Sequence, residues 1–136
     1  MQSDLTRDIS FGDCDPAGIV FYPNVFRWMD AAFHDLLRPY GGHAALCARL
    51  GATGLGLVDA AAQFHSPMRD GDRLTLRVAV TAWSRRTLTL GYAGAVAGVA
   101  TFTGREVRCL FTPTKTGIVA GAISPLRDLL DPEENA

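Results

Sequence analysis

Residues 24–40 form the one long stretch of this chain with helical periodicity, and beyond residue 58 the pattern changes to a two-residue period. Phe26, Met29, Phe33, Leu36, Leu37 and Tyr40 recur at helical spacing. Arg27, Asp30, His34 and Arg38 make a second, polar stripe at the same period. Pro23 suits the first turn of such a helix, where its missing N–H costs no hydrogen bond. Gly41-Gly42 suits its end. Ahead of the helix, residues 5–11 read as a first strand, interrupted by charge and therefore placed at an edge. After it, residues 44–50 allow a short helical turn, and strands are expected at 58–65, 74–82, 87–96 and 99–111. Asp70-Gly71-Asp72 and Ala97-Gly98 mark turns between them, and Thr114-Lys115-Thr116-Gly117 reads as a hairpin turn after the last. Short connections favour antiparallel pairing. Ser124 and Pro125 are expected as N-cap and first position of a short closing helix ending at residue 130. The tail, residues 131–136, is expected to be loose. One helix followed by consecutive strands describes an α+β domain, with one helix laid on one antiparallel sheet.

The 136 residues fit a single domain, 1–136, and 48% are hydrophobic, enough for a core. No apolar run approaches the ~18 residues of a membrane span. The first ten residues carry no apolar leader pattern, so a cytoplasmic location is expected. Cys14, Cys47 and Cys109 are an odd set with no CxxC pair, which fits a reducing compartment. His34, His43 and His65 lack metal-ligand spacing, so no metal is expected. Thirteen basic and fourteen acidic side chains leave no basic field that would favour nucleic acid.

Residues 11–24 read FGDCDPAGIVFYPN. Two carboxylates, Asp13 and Asp15, stand beside a Pro-Ala-Gly turn, and the chain then runs into the helix start. Asp, Pro and Gly make ordinary turns, and Asp13 reads best as a turn or cap residue. An acid just ahead of a helix N-terminus also places a nucleophile or base beside an anion-stabilising dipole. Over its whole length the segment resembles the signature of the 4-hydroxybenzoyl-CoA thioesterase family, one branch of the hotdog-fold acyl-CoA thioesterases. Phe11 to Val20, Tyr22, Pro23 and Asn24 carry the likeness. Arg27, Trp28, Asp30, Ala31 and Ala32 extend it into the helix, and the later strands match only as a pattern.

The resemblance implies a hotdog fold, a long central helix wrapped by a curved antiparallel sheet of about five strands. It implies hydrolysis of an aromatic acyl-CoA, of the 4-hydroxybenzoyl-CoA or benzoyl-CoA type, without a cofactor. Asp15 would attack the thioester carbonyl or activate water. The backbone N–H of Tyr22 would receive the developing oxyanion. Asp30 would accept the 4-hydroxyl of the acyl ring, although an exposed pairing with Arg27 or His34 explains it equally well. Arg85 and Arg86, in the Trp83-Ser84-Arg85-Arg86 cluster, would grip the nucleotide end of coenzyme A, as would Lys115 with less support. Serine at the first place of that cluster departs from the family's more basic pattern. The resemblance further implies a homodimer or homotetramer with sites at subunit interfaces.

Other readings stay open at this point. A short-chain or acyl-carrier-protein thioester is an alternative substrate, and a non-catalytic acyl-CoA-binding module is an alternative of another class. Asn24 sides with the aroyl-CoA branch, because envelope-associated relatives typically have His there. His65 and Ser66 lack a nucleophile-elbow motif and read as strand-end residues. Cys14 has no indicated His base. No glycine-rich dinucleotide fingerprint is present.

Overall fold

A computed structural model describes residues 1–132. Strand β1 (Gln2–Asp8) leads into a 3-10 turn, Phe11–Asp13. Helix α1 (Pro23–Leu37) runs on into a second 3-10 turn, Arg38–Tyr40, and helix α2 (His43–Leu50) follows. Strands β2 (Gly54–Phe64), β3 (Arg73–Trp83), β4 (Thr87–Val96), β5 (Val99–Thr114) and β6 (Gly117–Ala120) come next. Helix α3 (Ser124–Leu130) ends the order. All strand pairs are antiparallel, in the order β1-β3-β4-β5-β2, with β6 on the far half of β5. The sheet curls around α1, the arrangement expected above. No helix among the described residues is long and apolar enough to cross a membrane.

The core follows from two periods meeting. Helix α1 turns Val25, Trp28, Met29, Ala32, Phe33, Leu36 and Leu37 inward. Leu74, Leu76 and Val78 of β3, Leu88 and Leu90 of β4, and Phe102 and Leu110 of β5 face them at alternate positions. Phe26 and Tyr40, expected on the inner stripe, are only partly buried, and Val25, Trp28 and Ala32 take the larger share. Gly104 of β5 makes room for a helix side chain. A Cβ there would stand 2.6 Å from Sδ of the fully buried Met29, so glycine at this position leaves space for the Met29 side chain.

Several expectations need correction. The first strand is Gln2–Asp8, not 5–11, because Phe11–Asp13 winds into a 3-10 turn. The Asp13 carboxylate closes that turn by accepting the Ser10 N–H (3.0 Å) and hydroxyl (3.2 Å). The strand does lie at the sheet edge, pairing only with β3 among the described residues. The α-helix ends at Leu37, since Pro39 cannot donate into the ladder and the chain tightens into a 3-10 turn. Strand β2 begins four residues before the expected 58 and ends at Phe64. Strand β5 extends past residue 111 to pair with β6, a four-residue strand too short for a period to reveal. Ser124 is not the N-cap of α3. Ile123 holds that position without a side-chain cap, and Ser124 lies inside the first turn. The expected loose tail falls, from residue 133 onward, outside the described residues.

Candidate active site

The loop after the 3-10 turn doubles back on itself through a single Cys14–Val20 bridge. Within it the Asp15 N–H donates to the Ile19 carbonyl (2.9 Å), and the Gly18 N–H donates to the Asp15 carbonyl (2.9 Å). Gly18 has φ of +79°, a left-handed conformation that suits glycine. Oδ1 of Asp15 accepts the Ala17 N–H at 2.9 Å, an Asx turn, and Oδ2 has no partner among the described residues. The loop is tied down on two sides. Val20 N–H donates to the Met68 carbonyl (2.8 Å), and Asn24 at the helix start donates its Nδ2 to the Asp13 carbonyl (2.8 Å). The expected turn role of Asp13 is borne out, and an Arg7 guanidinium stands 3.7 Å from it.

Asp15 and Tyr22 come together on an open pocket of about 520 Å³, which Val25, His65, Ser66 and Met68 also line. At the head of α1, Asn24 N–H donates to the Phe21 carbonyl and Val25 N–H to the Tyr22 carbonyl, while Pro23 has no N–H. The Tyr22 N–H has no acceptor among the described residues, so a residue that lines the pocket keeps an unspent backbone donor. The Tyr22 ring is exposed and meets Phe21 edge-on. His65 and Ser66 follow the end of β2 as expected, and both bond across to β5. His65 Nε2 lies 3.2 Å from Thr103 Oγ1, and Ser66 Oγ donates to the Ala100 carbonyl at 2.6 Å. The sequence did not foretell that the chain's return past Pro67 brings both to the pocket of Asp15.

Within one chain, the other expected site residues stand elsewhere. Arg85 and Arg86 lie exposed in the β3–β4 turn. Thr87 there pairs with Cys109, whereas Phe64 beside the pocket pairs with Phe102. Seven β5 positions separate these ends, about 23 Å of strand. Ser84 closes the turn by accepting the Thr87 N–H (3.0 Å), which gives the serine in the basic cluster a structural task. Arg85 borders a second open cavity of about 530 Å³ with Trp83, Ile123 and Ser124. Lys115 is exposed in the β5–β6 turn.

Asp30 is on neither cavity. Its half-exposed side chain meets His34 (Nε2 to Oδ1, 3.4 Å), one of the two pairings expected, while Arg27 bonds Asn24 instead. Unforeseen is Arg108 of β5, whose Nη2 donates to Asp30 Oδ1 at 2.7 Å. Arg108 and Glu106 are 2% and 1% exposed, and Tyr92 donates its hydroxyl to Glu106. A signal existed. Phe102, Gly104, Glu106, Arg108 and Leu110 share one face of β5, so the two-residue period puts this ion pair on the core side. Burial raises the pKa of Tyr92, and the Glu106 charge raises it further, so the phenol keeps its proton. Burial opposes the Arg108 charge, but Glu106 and Asp30 outweigh it and hold the pKa above the ordinary arginine value.

Burial lowers the pKa of His34 from its ordinary 6.5, with Arg108 and His43 adding to the effect and Asp30 and Glu106 opposing it. The unfolded chain therefore takes up a proton that the folded chain resists. Above about pH 7 both states are neutral at this site and nothing is lost. As pH falls through 6.5 and below, folding stability drops. Urea unfolding at pH 7.5 and 5.5 is expected to show a larger acid loss for the wild type than for His34→Gln. Equal losses would remove His34 as the cause.

Residues 17–95 match the family model described as "Thioesterase superfamily". The 4-hydroxybenzoyl-CoA thioesterase of Pseudomonas sp. is 36% identical over 85 residues, covering 61% of this chain and 60% of that protein. The 1,4-dihydroxy-2-naphthoyl-CoA hydrolase of Prochlorococcus marinus is 32% identical over 79 residues, covering 54% of this chain and 53% of that protein. These matches span less than two thirds of the curated relatives' own lengths. An X-ray structure of a mutant 4-hydroxybenzoyl CoA thioesterase, complexed with 4-hydroxybenzoyl CoA, superposes with a TM-score of 0.84. It shares 25% sequence identity over 95% of this chain and 97% of that one.

Proposed function

Because this chain belongs to the thioesterase superfamily, we propose that it hydrolyses an aromatic acyl-CoA to the carboxylic acid and free coenzyme A, with Asp15 as nucleophile or general base. The observation that carries this reading is the pairing of Asp15, one carboxylate oxygen unengaged, with the unspent Tyr22 N–H on one pocket.

Both routes use the same two groups. In one, Asp15 Oδ2 bonds to the thioester carbonyl carbon and the carbonyl oxygen takes the negative charge. The C–S bond then breaks, the thiolate leaves, and water cleaves the resulting mixed anhydride. In the other, Asp15 removes a proton from a water that attacks the same carbon. Either way the oxyanion sits where the Tyr22 N–H and the α1 dipole stabilise it. The Asx turn holds the carboxylate in place beforehand, which lowers the entropic cost of the attack.

In this reading the site is shared between two copies of the chain. Asp30 does not line the pocket of its own Asp15, so one acyl group reaching both needs a second subunit. Exposed Phe11, Phe21 and Tyr22 around the loop, and Leu57, Val58 and Phe64 on the free edge strand β2, offer apolar surface for such an interface. Arg85 and Arg86 would bind the nucleotide phosphates of coenzyme A. An aromatic acyl group fits the mainly apolar wall of Val25, Phe64 and Met68.

Free-thiol release from 4-hydroxybenzoyl-, benzoyl-, phenylacetyl-, acetyl- and hexanoyl-CoA tests the substrate class. The hydroxylated aroyl-CoA is expected to show the highest kcat/KM. Faster turnover of acetyl- or hexanoyl-CoA would overturn the aromatic assignment in favour of a short-chain thioesterase.

A further inference from the structure

We infer that Arg108 is a positioning residue: braced from within by Glu106 and Leu55, it occupies Oδ1 of Asp30 and so presents Oδ2 as an oriented, charged acceptor for a hydroxyl group on the acyl part of the ligand. The inference rests on the proposed acyl-CoA site in taking Asp30 as part of it, and adds what makes that residue selective.

The buried guanidinium is held at every side. Nε donates to Glu106 Oε1 at 3.1 Å, and Nη2 also lies 3.1 Å from that oxygen. Nη1 donates to the Leu55 carbonyl at 3.2 Å, and the guanidinium carbon stands 4.3 Å from the centre of the Phe33 ring. Tyr92 fixes Glu106 in turn. A buried Arg–Glu pair is a poor device for stability alone, since apolar residues of similar volume serve as well or better. What this pair accomplishes is to aim one N–H outward at Asp30.

The charges leave Asp30 as the outlet. Glu106 and Arg108 cancel, and His34 is the other group facing the carboxylate. One negative charge then remains on Asp30, whose side chain is 50% exposed, against 3% for Arg108. With Oδ1 taken by Arg108 at 2.7 Å and facing His34 as well, Oδ2 is left without a partner among the described residues. A neutral hydroxyl can donate to it. An anionic substituent would meet the carboxylate itself. A bare phenyl ring would leave the carboxylate covered and unsatisfied.

The test uses binding rather than turnover. Isothermal titration would measure Kd for two thioether analogues that cannot be hydrolysed, 4-hydroxyphenacyl-CoA and phenacyl-CoA. Wild-type protein is expected to prefer the hydroxylated analogue by about 10- to 100-fold, the range for a hydrogen bond to a charged group. Arg108→Met alone strands Glu106 and endangers folding, so the working variant is Glu106→Gln with Arg108→Met, which removes both buried charges. Arg108→Lys, keeping a buried cation but losing the fork, is the second. In each, the preference is expected to fall to near parity while phenacyl-CoA affinity stays close to wild type. Equal weakening of both analogues would make Arg108 a structural brace only and overturn the inference. An unchanged preference, or a wild type without one, would overturn it as well. Because nothing is hydrolysed, a failure of the thioesterase reading leaves this measurement intact. Hydrolysis of aroyl-CoAs without hydroxyl preference would sink this inference alone.

Discussion

Asp15→Asn is expected to lower kcat for aroyl-CoA hydrolysis by about 10²- to 10⁴-fold, the span that a positioned general base contributes. The substitution isolates charge from geometry. Asparagine still offers a side-chain oxygen to the Ala17 N–H, so the turn between Asp15 and Gly18 persists. What disappears is the oxygen able to attack carbon or take a proton. Folding stability is expected to move by less than about 0.5 kcal/mol, as for a partly exposed site whose hydrogen bond is retained. Steady-state thiol release and urea unfolding check the two halves of the expectation. Tyr22→Phe is a useful companion, because the proposed oxyanion donor is the Tyr22 backbone and the phenol is exposed. Activity surviving in Asp15→Asn would remove Asp15 from the chemistry.

Arg108→Met is expected to destabilise the fold by about 3–5 kcal/mol, the cost of leaving one member of a buried ion pair uncompensated. Glu106 is 1% exposed and would keep only the Tyr92 hydroxyl as donor. The Leu55 carbonyl would lose its Nη1 donor, and Asp30 would lose its tie to β5. Adding Glu106→Gln should restore most of the loss, because the Tyr92 hydroxyl can donate to the amide oxygen and no charge remains inside. Urea midpoints of the wild type, the single variant and the double variant give the comparison. A single variant as stable as the wild type would show that Glu106 finds another partner or is neutral in the fold.

The parts of the fold legible in the sequence are those where one period runs unbroken. Helix α1 and strands β3 and β4 fall close to their expected limits because packing on one face repeats for three turns or more, or for ten residues. The ends of elements were less legible, since local chemistry decides them. The Ser10–Asp13 capping pair turns Phe11 out of the first strand, and Pro39 tightens the end of the helix. Strand β6, Gly-Ile-Val-Ala, is too short to show a period, and its local mark was the turn at residues 114–117 across which it pairs with β5.

The site divides in the same way. Asp15 and Tyr22 are seven residues apart in one continuous segment, so a local signature could announce them. His65 and Ser66 reach the same pocket only because β2 ends beside the loop, and no local reading brings them there. Asp30 was visible on the polar stripe of α1, but its partner lies 78 residues on, across the curl of the sheet. The charge alternation at Glu106 and Arg108 was present in the sequence. Reading it as a buried pair required knowing which face of β5 meets the helix.

The measurement that bears most directly on the account is steady-state release of free thiol from 4-hydroxybenzoyl-CoA by the wild-type protein. Turnover far above spontaneous hydrolysis, with no added metal or cofactor, is the expected result. A folded protein that binds coenzyme A but releases no thiol would contradict it and leave an acyl-CoA-binding module in its place.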